Sequence, residues 1–109
     1  MISIEIKRSS NGLIKGFRIQ GHAGYSSKGK DIVCAAVSAI AYTAVGALDE
    51  MAGIKNYTEK DGFMEFGITS EISGKLLETA NIIMNVAAVG FKQIEYSYGK
   101  YVRIVDKEV

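Results

Sequence analysis

The chain contains one cysteine and one histidine, Cys34 and His22. A thiol and an imidazole together can carry out acyl transfer: the imidazole takes the thiol proton, stabilises the thiolate as an ion pair and later hands a proton to an amine leaving group. That is the minimum equipment of a cysteine peptidase, and it needs no cofactor. A zinc site of the usual kind would need carboxylates to complete four ligands around these two residues, so no metal is expected. A lone cysteine also forms no internal disulfide, which leaves stability to packing and to any subunit contacts.

The position of Cys34 bears on its chemistry. Asp31 stands where a helix N-cap would, and the run from Ile32 through Met51 is rich in alanine and free of proline, so a long helix is expected with Cys34 in its first turn. Unsatisfied backbone N–H groups and the dipole at such a start favour a thiolate and offer donors for an oxyanion. With residues about 100° apart on a helix, Asp31, Cys34, Ser38 and Tyr42 fall on one stripe, while Val33, Val37, Ile40, Ala44 and Leu48 occupy other faces. Asp31 has two readings, a helix cap or a residue that orients His22, and Ser38 has at most a supporting hydrogen bond to give. Free cysteine is among the most buried residue types, so its place among Ile32, Val33, Ala35 and Ala36 alone leaves inert core as the default.

The elements that must position these residues follow from periodicity. Ile2, Ile4 and Ile6 alternate with Ser3, Glu5 and Lys7, a strand with one buried face. Asn11-Gly12 is a hairpin turn, and the return strand runs from about Leu13 to Gln20. Gly24, Tyr25, Ser26, Ser27, Lys28, Gly29 and Lys30 form a mobile loop between His22 and the first helix, which Gly53 ends. A second hairpin joins Ile54–Thr58 to Phe63–Ile68 through Asp61-Gly62, and a second helix, capped by Thr69 or Ser70, reaches Val89 and stops at Gly90. Phe91–Val109 supplies a final strand beside an edge. The expected fold is α+β: two helices on one face of a mainly antiparallel sheet, in the order β-β-α-β-β-α-β.

Bulk properties set the outer limits. With 109 residues, the chain is expected to be one domain. Hydrophobic residues at 48% suffice for a core, and 13 basic against 12 acidic residues without like-charge runs give no field that would recruit nucleic acid or a membrane. The apolar stretch Ile32–Leu48 is interrupted by Ser38, Tyr42 and Thr43 and falls short of the roughly 20 continuous apolar residues of a span, so a cytoplasmic location is expected.

The segment GHAGYSSKGKDIVCAAVSAIAYTA, residues 21–44, closely resembles the signature of the ribosomal-processing cysteine protease (Prp) family. The resemblance implies a cysteine endopeptidase that removes an N-terminal extension from large ribosomal subunit protein twenty-seven in bacteria and so supports ribosome assembly. By position it places the catalytic histidine on His22, the catalytic cysteine on Cys34, and the motif acid and serine on Asp31 and Ser38. It further implies a homodimer, a substrate-covering loop at Gly24–Lys30, and an apolar groove for an aromatic-rich extension, with pairing to an exposed strand edge as one mode of binding. Two rival readings stand beside it: a noncatalytic ribosome-associated binding module with a structural cysteine, and a thiol hydrolase acting on a nonpeptide acyl compound.

Overall fold

The apolar and polar halves of the first strand decide the layering. In the computed structural model, which describes residues 1–109, β1 (Ile2–Arg8) buries Ile2, Ile4 and Ile6 beneath the helices and turns Glu5 and Lys7 to the open face. Each fully buried isoleucine contributes about 1.5–3 kcal/mol. After β1 come β2 (Ile14–Gln20), α1 (Ile32–Ala52), β3 (Tyr57–Lys60), β4 (Phe63–Gly67), α2 (Gly74–Ser97) and β5 (Val102–Glu108). The sheet order is β3-β4-β2-β1-β5, antiparallel except where β5 runs parallel to β1. The α+β class and element order read from the sequence hold.

Phe17 is the centre of the core, fully buried between Phe66 and Phe91 with ring centroids 5.2 and 5.3 Å away. From α1, Val33, Val37, Ala41, Ala44 and Leu48 pack into the same cluster. This helix is long and apolar enough to cross a membrane by length and composition, but here one of its faces is buried in the core. On the open side of the sheet Glu65 accepts hydrogen bonds from Lys7 and from Arg18 Nε at 3.1 Å. The bond from Lys7 leads in holding the Glu65 carboxyl below its ordinary range; partial burial opposes it and Arg18 assists.

Three boundaries differ from the sequence reading. Ile54 belongs to the end of α1 rather than to a strand: Gly53 takes a left-handed φ of 68°, and the Ile54 N–H returns to Leu48 O at 3.0 Å while its side chain is buried. The strand therefore begins at Tyr57. The second helix starts later, with Ser73 rather than Thr69 or Ser70 at its N-cap position and no side-chain capping bond, and runs through Gly90 to Ser97. Gly90 is there for proximity, since a Cβ on it would lie 3.0 Å from Ile40 Cδ1 on α1. Phe91, read as the start of the last strand, instead fills the core from α2, and β5 is confined to Val102–Glu108.

Candidate active site

Cys34 occupies the first turn of α1, and the turn is fixed by Asp31. One oxygen of this carboxylate, Oδ1, accepts from the N–H groups of Val33 and Cys34 at 3.0 Å each. The other, Oδ2, accepts from Tyr25 N–H at 2.9 Å and Ser26 N–H at 3.1 Å. A carboxylate offers about four lone-pair sites, and here all are taken, so Asp31 clamps the loop to the helix and has no oxygen left to orient His22. Desolvation works against its charge, but the four backbone donors, Cys34 first, outweigh it and hold the carboxyl below its ordinary value. The clamp also revises the expectation that helix-end donors would serve an oxyanion, because the Val33 and Cys34 N–H groups are already spent.

Cys34 is half-buried, not sealed in the core. Ala23 N–H donates to Cys34 Sγ at 3.3 Å, so the residue after the histidine touches the sulfur directly. His22 follows β2 and is largely exposed. Two adjoining hollows, of about 440 and 460 Å³, both have His22, Cys34, Ser38 and Asp61 in their walls. The first continues as a cleft between the α1 stripe, with Tyr42 and Ala41, and the β3–β4 hairpin. Its floor includes Ile2, Ile19, Val37 and Met64, an apolar bed. β3 is the edge strand on this side and all four of its residues are exposed.

The predicted loop divides in two. Gly24, Ser26, Lys28 and Gly29 line the second hollow beside the thiol. Tyr25 leaves it and packs edge-on against Tyr101 and Tyr98, at 5.2 and 5.8 Å between centroids, while Lys30 N–H donates to Ser27 O at 2.9 Å and closes a turn. The backbone held by Asp31 and the ring held by two tyrosines make this loop a braced one.

Sequence reasoning missed Asp61 and Gly62, which it took only as a turn. Gly62 O accepts from Gly21 N–H at 2.8 Å, which pins the hairpin turn against the residue before His22. Asp61 Oδ2 lies 3.9 Å from His22 Nε2. No local pattern marks this contact; only the β2–β4 register, with Gln20 opposite Phe63, brings the turn to the histidine.

A thiol in the first turn of a helix, with an imidazole on the wall of the same cleft, suits a thiol hydrolase better than a packing cysteine. Comparison with known proteins gives that class its family. The model of the family described as Cysteine protease Prp matches residues 1–103, and the chain belongs to this family of cysteine proteases. It is 29% identical over 107 residues to the ribosomal processing cysteine protease Prp of Bacillus subtilis (strain 168), covering 95% of this chain and 96% of that protein. A namesake from Mycoplasma genitalium is 34% identical over 104 residues, covering 93% of each. Among solved structures, the ribosomal processing protease Prp from S. aureus, in complex with a covalently linked product peptide, superposes with a TM-score of 0.88 over 98% of this chain and 100% of that one. At 24% identity that likeness shows the fold. A Streptococcus mutans structure, at 27% identity, gives 0.81 over 100% and 96%.

Proposed function

We propose that this protease removes the N-terminal extension of large ribosomal subunit protein twenty-seven, with Cys34 as nucleophile and His22 as its base. The observation that carries the reading is the half-buried Cys34, whose sulfur is in contact with Ala23 N–H and which shares its cleft with His22. His22 takes the thiol proton and the thiolate attacks the scissile carbonyl carbon, forming the C–S bond. Collapse of the tetrahedral intermediate breaks the C–N bond as the imidazolium gives its proton to the departing amine, and water then hydrolyses the thioester with His22 as base again. Ser38 lines the cleft one turn from Cys34 as a polar wall. The apolar bed of Ile2, Ile19, Val37 and Met64 suits the aromatic-rich end of such an extension, and an extended peptide laid there passes the free edge of β3. The ribosomal substrate is supported by the relatives, ribosomal processing cysteine proteases of which this chain covers nearly the whole length.

The test is incubation of the purified protein with the ribosomal precursor, beside Cys34→Ala. Cleavage at the extension by the unmodified chain and none by Cys34→Ala is expected. An inert unmodified chain, or equal cleavage by both, refutes the reading. The noncatalytic module would in addition show a Cys34 that resists alkylation. A cytoplasmic homodimer completes the proposal: ribosome precursors are met in the cytoplasm, and Met51, Ile82, Val86 and Val89 form an exposed apolar patch on the helical layer that suits a self-contact.

A further inference from the structure

Two carboxylates stand near the thiol and the imidazole, and the structure separates their duties. Both Asp31 oxygens are filled by backbone N–H groups of Tyr25, Ser26, Val33 and Cys34. Asp61 has no hydrogen bond to any backbone donor, and its two oxygens lie 3.9 Å from His22 Nε2 and 3.9 Å from Lys28 Nζ. It is the one acid with an oxygen within 4 Å of a His22 ring nitrogen; Glu59 lines the same cleft without doing so. The turn that carries Asp61 is anchored through the bond from Gly21 N–H to Gly62 O and lies so close to the ring that a Cβ on residue 62 would sit 2.9 Å from His22 Nε2.

We infer that Asp61 is the positioning residue of His22: it draws Nε2 toward the β3–β4 turn, leaves Nδ1 for the thiol and stabilises the imidazolium formed on proton transfer. This rests on the reading of His22 as the base. At 3.9 Å the contact is one of charge rather than a hydrogen bond, and between exposed groups in water it corresponds to a rate effect of about five-fold. Closure of the cleft on a peptide strengthens it by removing water.

The test uses the full chain with Asp61→Ala, Asp61→Asn, Asp61→Glu and Lys28→Ala, and with Asp61→Ala combined with His22→Ala, measuring kcat and KM on an extension peptide. Asp61→Ala is expected to lower kcat about five-fold with KM little changed, Asp61→Asn to fall between, and Asp61→Glu to recover most of the loss. In the His22→Ala background the residual rate is expected to be indifferent to residue 61. Lys28→Ala is expected to act on KM as a loop residue. An undiminished kcat for Asp61→Ala, an additional loss in the His22→Ala background, or a kcat loss in Lys28→Ala equal to that of Asp61→Ala overturns the inference while leaving His22 as base. A fully active His22→Ala removes the foundation together with the inference.

Discussion

Replacing Gly62 by alanine tests whether the β3–β4 turn sets the histidine. Gly62 has φ +69°, a left-handed conformation that costs an alanine about 1–2 kcal/mol. The added Cβ would stand 2.9 Å from His22 Nε2 and 3.5 Å from two ring carbons. Ordinary contact needs roughly half an ångström more than the shortest of these. The imidazole is 60% exposed, so it can yield that distance by turning rather than by unfolding anything. Stability should therefore fall only by the backbone term, a drop in Tm of about 5–10 °C, whereas kcat/KM should fall about ten-fold because the ring is displaced from its productive place.

Gly12→Ala supplies the control. It carries the same kind of backbone strain, at φ +88°, in the β1–β2 turn at the far end of β2 from His22, with nothing within 4 Å of its Cβ. Thermal unfolding and peptide cleavage measured on both variants should show similar losses of stability and a loss of activity in Gly62→Ala alone. Equal activities would show that contact with the turn does not fix the ring, and the reasoning would fail.

The Asp31 clamp predicts a pH signature. Its carboxyl is held below the ordinary value of 3.8 in the folded chain, so the stabilisation it gives is complete above that value and is lost as the pH falls through the lower folded value. In Asp31→Asn the amide nitrogen would face two N–H donors in place of an acceptor, so urea unfolding should show a deficit at pH 7 that shrinks below about pH 4; a deficit that stays constant into acid would refute the clamp. On the helical layer, Val86 is 67% exposed in the centre of the apolar patch, and Val86→Asp should convert a dimer to a monomer in sedimentation without lowering Tm below that of a monomeric reference. An unchanged mass for Val86→Asp would move the self-contact elsewhere or dismiss it.

Local signals in the sequence suffice for much of this molecule. Alternation fixes β1, Asn11-Gly12 and Asp61-Gly62 fix the turns, and Asp31 with Gly53 brackets α1, because each of these depends on neighbours in the chain. Cys34 and its stripe are legible for the same reason. Failures occur where a residue answers to a distant one. Gly90 looks like a helix stop until Ile40 is seen against it, and Phe91 looks like the start of a strand until its ring is found against Phe17 in the core. Tyr25 looks like part of a free loop, yet its ring is held by Tyr98 and Tyr101. Asp61 is the sharpest case: its approach to His22 is made by sheet register, which no short window of sequence contains.

The parallel pairing of β5 with β1 governs how this chain is made. β1 is made well before β5, its second neighbour in the sheet, with Ile2 opposite Val102 and Arg8 opposite Glu108. Until β5 emerges, β1, which buries Ile2, Ile4 and Ile6, keeps one row of N–H and C=O groups without partners. A chain interrupted before residue 102 would carry that bare edge permanently and would be prone to self-association. Completion of the sheet thus waits for β5, and that seven-residue strand acts as the clasp on the open edge of β1.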